Sequence, residues 1–276
     1  MTLTVTPTTG VVAPPPRPEQ PPTSRSRSRA LAQRAVPVAA SLLTMLLIWQ
    51  LAVAIGHRVP SAVDTFGRLG EESADGQLWV NLALSMNRFL LGLGLALVAG
   101  TVIGVSMGLS RVVDYALTDL TMSALAAPAV IWALLTTMWF GFGWLTPVTT
   151  VFLSALPFVV VNIAKAVRAV PPELVAMARS FGVGRTEILR HIVMPAVAGS
   201  TVAAVRFAIM SAWNGLLLAE WFGATSGVGW RSRYWYDANQ LDGFLAWVLV
   251  FIAFLVLVDQ VVLGPVERHV TRWRTV

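Results

Sequence analysis

Six stretches of predominantly apolar residues, each near the roughly 20 residues a helix needs to cross a bilayer core, constrain this chain more than any other feature. They lie near 36–56, 89–109, 120–140, 145–166, 197–221 and 244–264. Inside lipid the backbone must satisfy its own N–H and C=O groups, so such runs are expected to be helices. The expected fold is therefore an all-α integral membrane bundle of six spans, occupying 36–276 behind a tail of residues 1–35. Only 12% of residues are charged, against roughly 25% in soluble domains. A formal charge of +6 would point a soluble chain towards nucleic acid. Here the basic residues flank spans, which membrane topology explains, and no nucleic-acid partner is expected.

The tail, with PPPRPEQPP followed by SRSRSR, has the composition of a segment that cannot order itself, and Arg25, Arg27 and Arg29 suit an anionic lipid surface. The first apolar run starts too late and runs too long for a cleaved signal, so it reads as an uncleaved anchor. The chain has no Cys, which excludes disulfides, thiolate metal sites and Cys nucleophiles. His57, His191 and His269 all fall in flanks or loops, so neither a metal site nor an intramembrane Ser–His protease is expected.

Orientation follows from Lys and Arg in the flanks. With the N-terminus inside, cytoplasmic segments hold Arg17, Arg25, Arg27, Arg29, Arg34, Arg111, Lys165, Arg168, Arg179, Arg185, Arg190, Arg268, Arg272 and Arg274, the majority of the 20 basic residues. The outside keeps Arg58, Arg68, Arg231 and Arg233, while Arg88 and Arg206 lie in or near spans. This bias places both termini and the segment 171–195 in the cytoplasm, which requires an even number of spans.

Two local patterns stand out. Gly100, Gly104 and Gly108 recur every four residues, joined by Gly92 and Gly94, so the second span carries a smooth stripe that lets another backbone approach, within the subunit or across a dimer. Between Pro171 and Pro195 the polar segment ELVAMARSFGVGRTEILRHIVMP reads as two short helices. Pro172 suits a first helical position, Glu173 the positive end of the dipole, and Gly182 and Gly184 the break. A second amphipathic piece from Arg185 is expected to stop at Pro195.

This segment resembles the cytoplasmic coupling loop of bacterial ABC importer permeases, in which a Gly is followed ten positions later by Ile-x-Leu-Pro. The matching residues are Gly182, Ile192, Met194 and Pro195, with Met for Leu. The resemblance extends to the nitrate/sulfonate/taurine class through APAVIWALLTTMWFGFGWLTP, with Pro128, Trp139, Phe140, Gly141 and Gly143. It continues through LLLAEWFGATSGVGW, with Ala219, Glu220, Ala224, Gly227 and Gly229, and the tail with Asp259 and Trp273. It implies a type I importer permease fold in the bacterial inner membrane. It also implies a pore formed with a second permease copy, two ATP-binding subunits and an external substrate-binding protein. No Walker A sequence occurs, so this chain is not expected to be its own motor. The resemblance implies a non-catalytic subunit that binds no cofactor, with ATP and Mg held by the partner ATPase.

On that reading Glu173, Ala176, Met177 and Arg179 share a helix face that docks on the ATPase, with small Ala176 and Ala178 allowing close approach. The family's usual Glu, six before the Gly, is replaced here by Ala176. Polar residues at membrane depth are functional candidates. Glu220 comes first, followed by a stripe of Arg206, Met210, Trp213 and Asn214, and by Asn162, able to bond across helices or face the pathway. Arg206 is a candidate partner for a span acid, or else snorkels toward the cytoplasmic side, and is also able to attract an anion. Trp221, Trp230, Trp235 and Trp247 read as an interfacial belt. The class implies a small solute such as nitrate, a sulfonate or taurine. The competing reading is an ATPase-independent channel or secondary transporter, which needs no soluble partner and usually shows internal repeats.

Overall fold

A computed structural model describes residues 40–258 and 260, apart from 42, 57 and 58, and does not describe the side chains of 198–204. The expected basic tail, His57, His269, Asp259 and Trp273 lie outside the described residues. The described residues are helical, with no strand among them. They fall into two units, one holding α1 (Leu43–Ala54) and the other everything from Gly56 onward.

The second unit starts with a surface-type helix, α2 (Ala62–Ala74), whose Ser61 cap accepts the Asp64 N–H. It leads into α3 (Gln77–Leu109), which begins well before 89 because Asn81, Ser85 and Arg88 are buried and prolong the helix inward. After Ser110 come α4 (Arg111–Ala126) and α5 (Ala129–Phe140), then α6 (Leu145–Arg168). The stretch 120–140, expected as one span, is thus broken, with α4 and α5 meeting at 99°. Pro128 explains the break: it lacks a donor and forces Ala127 into extended backbone (φ −69°, ψ 124°). Next come the short α7 (Pro172–Ser180) and α8 (Arg185–Ile188), a π-helical turn (Leu189–Val193), and the long α9 (Met194–Gly223). The unit ends with α10 (Val228–Asp237) and α11 (Leu241–Leu257).

Among the described residues α3 and α6 are long and apolar enough to cross a membrane, and the bent pair adds a third if counted as one span. α1 and α11 are shorter apolar helices.

α3 and α6 run parallel in fixed register, and the glycine stripe is the contact. A Cβ on Gly100 would lie 2.7 Å from Val159 Cβ, one on Gly104 2.8 Å from both Ile163 Cβ and Val160 O, and one on Gly108 2.5 Å from Val167 Cβ. The stripe therefore seats helices of one subunit together, and Gly94 faces open space. α9 packs antiparallel on α6 by the same device: Gly215 stands against Ser154 and Gly223 against Thr137 and Thr146. Hydroxyls line these contacts: Thr136 of α5 is bonded to Thr150 of α6 at 2.6 Å, and Ser211 of α9 donates to Ser154 O of α6 at 2.9 Å. The apolar centre is Trp213, 1% exposed, edge-on to Phe89 and tilted on Phe254 at 3.8 Å.

Candidate functional site

Two regions carry the candidate residues, at opposite ends of α9. The first is 171–195. Pro172 occupies the first turn of α7 and Glu173 its acidic start. The helix closes with two bonds that capture its last carbonyls: Gly182 N–H to Arg179 O at 3.0 Å and Val183 N–H to Ala178 O at 3.1 Å. This is the Schellman arrangement, and it needs Gly182 in the left-handed region, where its φ is +77°. Gly184 then caps α8 in extended conformation.

Glu173, Ala176, Met177 and Arg179 are exposed. Ala178 is not: at 8% exposure it packs into the subunit's own core with Ile188 and Val193, so it cannot offer close approach to a partner. The i, i+3 spacing from Val175 to Ala178 explains this, since both turn towards the core. Ile192 also packs against that cluster. The outward side instead carries Leu174, Met177 and Phe181, the last 81% exposed. Sequence reasoning missed Leu174 and Phe181, although the i, i+3, i+7 spacing of three large apolar residues was available.

Pro195 does not stop the second piece. α8 passes through the π-helical turn into α9, with Met194 N–H bonded to Leu189 O and Pro195 in the first turn of α9. A proline ring collides with the carbonyl four residues back in a regular α-helix, and the wider i→i−5 turn accommodates it.

The second region lies around Glu220. Its carboxylate is fully buried and paired with Arg88 of α3 at 2.7 Å. Ser85 Oγ donates to it at 2.7–2.8 Å and Gly229 N–H at 3.0 Å. Arg88 also donates to Ser226 O and Ser226 Oγ, both at 2.7 Å. Ser85 Oγ accepts Val228 N–H, and Asn81 Oδ1 accepts Gly227 N–H, each at 2.8 Å. The partner of the span acid is thus Arg88, not Arg206, which is half-buried nearer the start of α9.

The other span candidates separate. Trp213 is a core residue and not part of an open stripe with Met210 and Asn214, which are exposed on another side of α9 beside Phe207. Asn162 and Asn214 each donate to a carbonyl one turn back in their own helix, Phe158 O and Met210 O, and not across helices. Of the expected aromatic belt, Trp247 is completely buried. Trp235 has two guanidinium groups over its ring, Arg68 at 4.8 Å and Arg231 at 5.3 Å from the centroid. The hydrogen bond to Asp242 holds the Arg68 guanidinium above its ordinary pKa.

Comparisons with known proteins agree with this architecture. Residues 92–264 match the model of the family described as binding-protein-dependent transport system inner membrane component. The taurine transport system permease protein TauC of Escherichia coli is 27% identical over 72% of each chain. The putative aliphatic sulfonates transport permease protein SsuC of Escherichia coli is 28% identical over 82% of this chain and 87% of its own. The nitrate import permease protein NrtB of Synechococcus elongatus is 22% identical over 81% and 84%. A chain of the MetNI methionine ABC transporter, solved in inward-facing conformations, superposes with a TM-score of 0.56 at 18% identity. That superposition covers 72% of this chain and 96% of the other, and shares its fold. With the matched region spanning well over half its length, the chain belongs to the family of inner membrane components of binding-protein-dependent transport systems.

Proposed function

We propose that this chain is one half of the membrane pore of an ATP-driven importer, crossing the membrane six times with both termini in the cytoplasm. In this reading it pairs with a second permease copy. Two ATP-binding subunits dock on 171–195, and an external binding protein delivers a small anion of the sulfonate or nitrate type. The observation that carries it is the exposed apolar face of Leu174, Met177 and Phe181 on a short, tightly capped helix in the most Arg-rich internal segment. An apolar patch rimmed by charge, on a loop that basic flanks assign to the cytoplasm, suits a soluble partner and not lipid.

Hydrolysis belongs to the partner, and this chain receives displacement. Because α8, the π-turn and α9 are continuous, movement of α7 and α8 passes into α9 and its exposed Phe207, Met210 and Asn214 face. Arg206, one turn before Met210, favours an anion on that path. The substrate class rests on the taurine, sulfonate and nitrate names of relatives.

Reconstitution tests this reading. Proteoliposomes holding the chain with its cognate ATPase and binding protein are expected to take up labelled sulfonate or nitrate only with ATP. Phe181→Asp is expected to abolish co-purification of the ATPase while the permease stays folded. Uptake by this chain alone would overturn the assignment in favour of a self-sufficient channel or carrier.

A further inference from the structure

We propose that Arg88 and Glu220 are positioning residues for transport. They fix the turn 224–227 and the start of α10 onto α3 and the far end of α9, so that displacement entering at 171–195 reaches that turn. This rests on the proposed importer function and adds the place where the displacement is delivered.

The geometry leads there in three steps. From Arg185 to Gly223 the chain is helical without a break, through the π-turn and into α9, and α9 alone runs for about 45 Å at 1.5 Å per residue. Glu220 sits in its last turn, at the end remote from the docking segment. Beyond Gly223 the helix stops: Ala224 is extended (φ −118°, ψ 166°) and Gly227 has φ +108°. The chain itself joins the turn to α9 only through the Gly223–Ala224 peptide, about which it can pivot, and the buried cluster supplies the further bonds that fix its orientation. Gly229 N–H is bonded to Glu220, Ser226 O and Oγ to Arg88, Val228 N–H to Ser85 and Gly227 N–H to Asn81. The fit leaves no slack, because a Cβ on Gly227 would strike the Glu220 carboxylate and one on Gly229 would stand 2.5 Å from Leu217 O.

Stability alone does not require charge here. An apolar pair of similar volume often replaces a buried ion pair without loss, whereas removing one partner leaves an uncompensated charge. What an apolar pair cannot supply is the set of three bonds from Arg88 and Glu220 to Ser226 and Gly229.

The test compares single and paired substitutions in the complete reconstituted importer. Arg88→Met or Glu220→Leu alone is expected to lower the melting temperature. The double variant, in which no charge is left unpaired, is expected to recover part of it, yet to lose the stimulation of ATP hydrolysis by loaded binding protein and most of the uptake. Recovery of both stability and stimulation in the double variant would reduce the pair to a structural role and overturn the proposal.

Ser226→Ala guards against a double variant that does not fold, because it removes one bond and leaves no charge unpaired. Its melting temperature is expected to stay within about 2 °C, while stimulation falls about threefold or more, the scale on which single substitutions alter coupling. Unchanged stimulation in Ser226→Ala also overturns the proposal. A wild-type complex without ATP-dependent uptake marks failure of the importer reading itself, separately from failure of this pair.

Discussion

Gly104 and Gly94 lie on the same helix and make opposite demands on a side chain. At Gly104 a Cβ meets the Val160 carbonyl, which is helix backbone and cannot step aside, whereas at Gly94 it meets nothing within 4 Å. Gly104→Val is therefore expected to push α3 off α6, costing about 1–3 kcal/mol, and to lower the melting temperature in detergent. Gly94→Ala should hold or raise it, since Ala is the better helix former by about 0.5–1 kcal/mol. Equal melting of the two variants would mean that the stripe is not the α3–α6 contact. The four-residue spacing made this stripe legible in sequence, but spacing defines a face and not its neighbour. For the same reason Glu220 was legible as a costly charge while its partner was not. Arg206 shares its helix and is the nearer candidate in sequence, yet Arg88 is brought in by the α3–α9 packing, which no local pattern encodes.

The elements that sequence predicts best are those whose determinants are local. The start of α7 and the turn after it need only Pro172, Gly182 and Gly184, all within one segment, and the structure forms them as a helix start and a capped helix end. Gly182 has open space around its Cβ position, so substitution there meets a purely conformational cost. Placing Ala in the left-handed region costs about 1–2 kcal/mol, whereas Asn visits it more readily. Hydrogen exchange at the Gly182 and Val183 amides, the two that close the turn, should speed up about tenfold in Gly182→Ala, as local opening becomes easier by about that free energy. Gly182→Asn should stay close to wild type. Equal exchange in both variants would show that the turn does not depend on φ. Pro128 and Pro195 reverse the lesson. Both are helix breakers by chemistry, but Pro128 breaks a stretch read as one span. Pro195 starts α9 because the π-turn before it makes room. What a proline does depends on whether the preceding turn can widen.

At the scale of the molecule, the docking segment and the Glu220 cluster sit at opposite ends of a continuous helix, so the proposed function requires them to face opposite sides of the membrane. Charge bias assigns 171–195 to the cytoplasm because its Arg residues flank spans, and it assigns the α10 end, with Arg231 and Arg233, to the outside despite their charge. The two Arg residues there are engaged: Arg231 with Glu72 at 2.8 Å and Arg233 with Asp237 at 3.2 Å and Trp221 O at 2.9 Å. Paired within the protein, they compete less with the inner flanks for the role of topological anchor. Because the chain has no Cys, each introduced thiol is its sole reporter. Thr186→Cys and Ala238→Cys both lie at exposed positions, on α8 and just after α10. In intact cells a membrane-impermeant maleimide is expected to label Ala238→Cys and to spare Thr186→Cys, which should react only after the membrane is opened. Labelling of Thr186→Cys from outside would place the exposed Leu174, Met177 and Phe181 face beyond the reach of any ATPase, and with it the route by which force enters α9.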